Sequence, residues 1–170
     1  MSTPAAVREG APSRPGMRRG VLLLGALLIA GADLVIKAQA EAHLSRGEVL
    51  ETPLLTIKLL YNTGVAFSLG AALPTWVVVA GTGVIIAALL SWLTVSAPKL
   101  SAMSFTGGTM IAGGAIGNFI DRLDGRGVVD YLHSGWFPTF NLADVFVTVG
   151  VAVLVLGTLL PARKAPEKEA

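Results

Sequence analysis

No cysteine occurs among the 170 residues. That excludes disulfides, thiolate metal sites, haem attachment, a cysteine nucleophile and a thioether-linked lipid on the chain itself. Charge is scarce as well: charged residues make up 14 % of the chain, against about 25 % in an ordinary soluble domain. None lies between Lys58 and Lys99 or between Lys99 and Asp121. His43 and His133 are the only histidines, too few for a histidine-rich zinc site, and there is no H-E-x-x-H stretch. His133, Ser134 and Gly135 are neighbours in sequence, but a hydrolase triad is a matter of spatial geometry and adjacency on a loop does not make one.

What the chain has in quantity is hydrophobic residues, at 53 %. A helix needs about 20 mainly apolar residues to cross the hydrocarbon core. Four stretches qualify, 20–37, 73–95, 101–120 and 142–160, and they leave no room for a water-soluble domain of ordinary size. The fold class expected is therefore an all-α membrane protein with four transmembrane helices. The β-branched and apolar residues at 56–61 add a short strand or hairpin on the membrane surface.

The domain reading is a single membrane domain at 18–162, with a disordered cytoplasmic tail at 1–17 and a second cytoplasmic tail at 163–170. The first tail is rich in Ala, Pro, Gly and Ser without an apolar period. Arg18 and Arg19 before an apolar stretch imitate a secretory leader. Asp33 and Lys37 follow at once and three more spans come later, so we read a first anchor.

Orientation follows from the basic residues beside the spans. With the N-terminus cytoplasmic, the inner side holds Arg8, Arg14, Arg18, Arg19, Lys99, Arg163, Lys164 and Lys168, eight in all, and the outer side holds Lys37, Arg46, Lys58, Arg122 and Arg126, five. Both termini then face inward. The net charge of +2 reports this orientation rather than a nucleic-acid surface, since the basic residues flank spans and form no aromatic-laced patch.

This topology gathers the unusual polar residues at the outer face. Asp33 and Lys37 close span one, Asn118, Asp121 and Arg122 close span three, and Asn141 and Asp144 open span four. Charge inside a span is costly, about 2.5 kcal/mol or more at its centre, so such residues face an interior or a wet cavity. Asp33 and Lys37 are four apart and can neutralise each other on one helix face; a structural ion pair and a direct chemical role both fit. Gly113, Gly114 and Gly117 read as close helix packing, because a phosphate loop also needs its Gly-Lys-Ser/Thr ending.

Asp130 and Asp144 are the candidate pair for chemistry. Asp144 stands three residues after Asn141, so helix capping also explains it. Two facing carboxylates share one proton because like charges raise each other's pKa. The ionised member can then take a proton from water while the protonated one polarises a carbonyl.

Five segments carry a resemblance: DLVIK at 33–37, YNTGVAFS at 61–68, GAIGNFIDR at 114–122, GVVDY at 127–131 and FPTFNLADV at 137–145. Together and in this order the chain resembles bacterial lipoprotein signal peptidase, also called signal peptidase II, an aspartic protease family of the cytoplasmic membrane. The resemblance implies cleavage of a prolipoprotein signal peptide just before a cysteine carrying a diacylglyceryl group. Asp130 and Asp144 match the catalytic dyad; Asp33, Lys37, Asn62, Gly64, Asn118, Asp121, Arg122, Asn141 and Ala143 match residues that support it or bind substrate.

It also implies a small extracytoplasmic sheet with a mobile flap, no metal or cofactor, and as partners diacylglyceryl-prolipoproteins and membrane lipid, the protein being a monomer. The tail at the start is longer, and the segment between Asp130 and Asp144 shorter, than the family's pattern. The competing class is a small transporter or proton-translocating subunit with a relay through Asp33, Lys37, Asp121 and Asp144. A relay should reach both sides of the membrane, whereas these residues cluster at one. A non-catalytic scaffold gives no reason for that clustering.

Overall fold

The computed structural model describes residues 15–64 and 73–160, so the expected tail at 163–170, most of the tail at 1–17, and any flap at 65–72 lie outside the described residues. Each apolar stretch is a helix: α1 (Pro15–Leu44), α2 (Thr75–Ser96), α3 (Ala102–Arg122) and α4 (Leu142–Leu159). Among the described residues three helices, α1, α2 and α4, are long and apolar enough to cross a membrane. The 21-residue α3 is of similar length but rich in glycine, serine and threonine, because it is the helix against which α1, α2 and α4 all pack.

The packing has two styles. Between α1, α2 and α3 the buried Leu22, Ala26, Leu93, Ala97 and Ala112 form an apolar cluster. Between α3 and α4 the backbones touch. A Cβ on Gly107 would run into the Leu154 backbone, and one on Gly150 would lie 2.8 Å from the Gly107 carbonyl oxygen. At the same end Ser101 caps α3, accepting from the Ser104 N–H at 3.1 Å and donating to the Gly157 carbonyl at 3.1 Å. Arg18 donates to the carbonyls of Pro98 and Leu100 at 3.3 and 2.9 Å and lies over the Phe105 ring.

Two boundaries of α1 differ from expectation. Its start at Pro15 places three residues of the expected 1–17 tail in the helix. Proline suits a first helical position because its missing N–H would have no partner there, and Arg18 ties this turn to the α2–α3 connection. Asp33 and Lys37 do not end the helix, which continues to Leu44. Their charges are paired with each other inside the bundle, which leaves the helix unbroken. The stop comes at Gly47, with φ of +87°, a conformation glycine adopts at no steric cost.

The strand expected at 56–61 is present and one residue longer. It is the centre of an antiparallel sheet, β1 (Val49–Glu51), β2 (Thr56–Asn62) and β3 (Val128–His133), in that spatial order. The β2–β3 register shifts between the pairs Ile57–Leu132 and Leu60–Asp130, so β2 carries one extra residue, a bulge that re-aims the side chains beyond it. Gly127, at φ +101° and with its Cβ position 2.6 Å from the Asn62 carbonyl oxygen, makes the tight entry into β3. Leu132 pairs with Phe140, which brings the start of α4 alongside Asp130.

Candidate active site

Asp130 lies in β3 and Asp144 in the first turn of α4. Asn141 joins them. Its side-chain Nδ2 donates to Asp130 Oδ1 at 2.6 Å, its backbone N–H donates to Asp144 Oδ2 at 3.2 Å, and its Oδ1 accepts the Asp144 N–H at 3.0 Å. The last two contacts are a reciprocal capping box. Capping therefore holds for Asp144, and it is the means by which this carboxylate is fixed, not an alternative to its facing the cavity.

Two further asparagines complete the contacts. Asn62, diagonal to Asp130 across the β2–β3 pair, donates to Asp130 Oδ2 at 3.2 Å. Asn118, near the end of α3, donates to Asp144 Oδ1 at 2.8 Å. Burial, and after it the neighbouring charge of Asp144, pushes Asp130 up to about 6. Beside it, burial pushes the Tyr131 hydroxyl up to about 12, and a hydrogen bond joins that hydroxyl to the Leu142 backbone.

Both carboxylates open on one cavity of about 850 Å³, which Asn62, Asn118 and Arg122 also line. Its other walls are mostly apolar, from Trp136, Phe137, Pro138 and Phe140 on the β3–α4 connection and Val145, Val147 and Val149 on α4, with Thr63, Ser134, Thr139 and Thr148 among them. Such a space fits an extended apolar chain laid across two carboxylates.

The remaining expected residues stand behind this layer. Lys37, 2 % exposed, meets Asp33 Oδ2 at 2.7 Å, Asp121 Oδ2 at 2.8 Å and Asn118 Oδ1 at 2.8 Å. Asp33 Oδ1 accepts the Ala143 N–H at 2.9 Å, and Asp121 accepts the Val129 N–H at 3.2 Å. One ammonium thus links α1 to α3 directly and, through the two carboxylates, to the start of α4 and to β3. Arg122 donates to the carbonyls of Asn118 at 2.7 Å and Gly64 at 3.1 Å. All the expected site residues, from Asp33 to Asp144, are gathered at one end of the helices.

Three glycines in α3 make this possible by packing, as expected. A Cβ on Gly117 would lie 2.7 Å from Asp33 Oδ2, one on Gly114 2.5 Å from the Ala143 carbonyl oxygen, and one on Gly113 2.6 Å from Ile29 Cβ. Sequence reasoning did not assign Tyr131 a place, although it adjoins Asp130, nor the exposed group formed by Glu41, Tyr61, Asp124 and Arg126. There the Tyr61 hydroxyl donates to Glu41 at 2.7 Å, which raises its pKa, and Arg126 meets Glu41 at 2.8 Å and Asp124 at 2.7 Å. Of this group the sequence places only Arg126, among the outer basic residues, and Tyr61, at the start of the 61–68 segment.

Comparison with known proteins shows the family. Residues 25–160 match the family model described as signal peptidase (SPase) II. The chain is 39 % identical over 138 residues to a lipoprotein signal peptidase of Sinorhizobium fredii, covering 78 % of this chain and 82 % of that one. It is 37 % identical over 146 residues to a lipoprotein signal peptidase of Bartonella henselae, covering 81 % and 88 %. A solved structure described as a bacterial membrane enzyme, determined in meso at 1.9 Å resolution, superposes with a TM-score of 0.67 at 26 % identity over 84 % of this chain and 95 % of that one. A second, at 2.3 Å, gives 0.69 and 27 % over 89 % and 94 %.

Proposed function

The chain belongs to the signal peptidase II family, and from that premise we propose that it is a membrane-embedded aspartic endopeptidase of the bacterial cytoplasmic membrane. It removes the signal peptide from diacylglyceryl-modified prolipoproteins, cutting immediately before the lipid-bearing cysteine. The observation that carries this reading is the pair Asp130 and Asp144, bridged by Asn141 and open together on one apolar-walled cavity.

In the proposed step Asp144 is the base. It stands at the positive end of α4 and accepts N–H donors from Asn118 and Asn141, contacts that favour a carboxylate. It takes a proton from water, whose oxygen adds to the scissile carbonyl carbon while Asp130 gives its proton to the carbonyl oxygen. Collapse of the tetrahedral species breaks the C–N bond, and a proton passes to the departing amine.

In the membrane, α3 is the third of four spans in a single peptidase domain at 18–162, with both terminal tails cytoplasmic and the dyad at the outer face. There the lipid of the substrate stays in the outer leaflet while its signal peptide lies along α4. The protein works as a monomer on its prolipoprotein and the surrounding lipid, without nucleic acid. Among the described residues the buried charges are Asp33, Lys37 and Asp130, all at the dyad's end, which favours a peptidase over a relay through the bilayer.

The test is cleavage of a diacylglyceryl-modified prolipoprotein by the purified protein, with chelator present, beside folded Asp130→Asn and Asp144→Asn variants. Cleavage before the modified cysteine that survives chelator and vanishes in both variants is the expected result. An inactive native protein, or cleavage by both variants, sinks the assignment.

A further inference from the structure

An asparagine amide has two ends of nearly equal shape and opposite chemistry, a carbonyl that accepts and an NH₂ that donates. Which end faces the dyad decides whether the asparagine supports a carboxylate. In this site all three present the NH₂, and each carbonyl is occupied by another donor. Asn141 Oδ1 is taken by the Asp144 N–H at 3.0 Å and Asn62 Oδ1 by the Gly64 N–H at 3.1 Å. Those are backbone donors, fixed by the chain. Asn118 differs, because its Oδ1 is taken by a side chain from another helix, the Lys37 ammonium at 2.8 Å.

The Lys37 ammonium sits among three oxygens, in ion pairs with Asp33 Oδ2 at 2.7 Å and Asp121 Oδ2 at 2.8 Å and donating to Asn118 Oδ1 at 2.8 Å, and it is buried, so it has no competing solvent position. We propose that Lys37 is a positioning residue that fixes the Asn118 amide with its NH₂ toward Asp144, so that the dyad meets donors from all three asparagines. Without that ammonium the Asn118 carbonyl has no fixed donor, and the amide is free to turn its oxygen toward Asp144. This inference rests on the peptidase reading only for its kinetic arm.

The experiment uses the full chain in detergent with ¹⁵N-labelled asparagine. Its variants are Lys37→Met, Lys37→Met with Asp33→Asn, Asn118→Ala, and Lys37→Met with Asn118→Ala. The second variant removes the buried carboxylate that loss of the ammonium leaves unpaired, which keeps the test decisive if Lys37→Met alone does not fold. The Asn118 side-chain amide signal, assigned by its loss in Asn118→Ala, is expected to be displaced by its carboxylate bond in the native protein. It should return toward the solvent-exposed position in the Lys37 variants, and a signal that stays displaced overturns the proposal.

In the kinetic arm, Lys37→Met lowers kcat about tenfold or more, as a misaligned catalytic group does, with KM within about twofold. It adds nothing once Asn118 is alanine. Losses that multiply in the double variant overturn the proposal, because Lys37 then acts by another route. Failure of the native protein to cleave sinks the peptidase reading alone, and the amide signal still decides the orientation.

Discussion

The two ends of α3 hold their neighbours by opposite means. Near its start, Gly107 meets Gly150 and Leu154 of α4 backbone to backbone, and contact depends on side chains being absent. Near its end, Asn118 and Asp121 engage Lys37 and Asp144 through contacts of 2.8 Å, and contact depends on particular atoms being present. The first end sets the helix separation and the second requires it. A carboxylate buried without its partner costs several kcal/mol, so the polar end tolerates little displacement, and the glycine end supplies that constancy without occupying the site.

The largest expected effect separates chemistry from framework. Asp130→Asn and Asp144→Asn should each lower prolipoprotein cleavage by about a hundredfold or more, the usual contribution of a positioned acid or base. The unfolding transition in detergent should fall by no more than about 1 to 3 kcal/mol, since an amide keeps the carboxylate's shape and loses one of its two acceptors. Joint loss of folding and activity would place these residues with the framework and break the division between the two ends.

Next in size is a pH effect confined to the polar end. Asp130 is raised from 3.8 to about 6 by burial and by Asp144, so the folded chain holds its proton more tightly than the unfolded chain. That contribution is complete below the ordinary carboxyl range, is lost as pH rises from about 4 through about 6, and changes no further above it. It amounts to about 3 kcal/mol at most. Melting followed across that window should fall for the native protein and stay level for Asp130→Asn; parallel curves would remove Asp130 from the linkage.

The glycine end is tested by adding one methyl. Gly107→Ala should destabilise by about 1 to 3 kcal/mol, as overpacking does, because its Cβ would meet the backbone of Leu154. It should also reduce cleavage, although the residue is far along α3 from the dyad. Gly20→Ala, where a Cβ meets nothing within 4 Å, is the control and should melt as the native protein does. Activity unchanged in a destabilised Gly107→Ala would show that helix separation is not transmitted to the polar end.

The same contrast explains what the sequence made legible. The helices show as long uncharged runs, and the packing role of Gly113 and Gly114 shows in their spacing. The end of α1 was misplaced because Asp33 and Lys37 look like a boundary, whereas their charge is neutralised inside the bundle and the stop lies at Gly47. Asn141 was readable as a cap from its distance to Asp144. Its bond to Asp130 was not, since that depends on Leu132 pairing with Phe140. No spacing within one element encodes a pairing between two, so Asp130 stood as a candidate beside Asp144 without the asparagines that hold it.

The smallest expected effect concerns the exposed ions at the polar end. Arg126 touches Glu41 at 2.8 Å and Asp124 at 2.7 Å, distances equal to those Lys37 makes with Asp121 and Asp33. Distance alone would rank the two groups together. Burial separates them: Arg126 is 57 % exposed and Lys37 2 %. Water already solvates the guanidinium and its partners, holding long side chains in place costs entropy, and salt screens what remains, so many surface pairs contribute nothing measurable. Arg126→Ala should therefore melt with the native protein and cleave as well, at low salt and at high salt alike. A substantial loss at low salt that salt abolishes would mean that this group holds β2, and with it Asn62, against α1. The boundary between the ionic site and its surroundings would then extend outward to the surface.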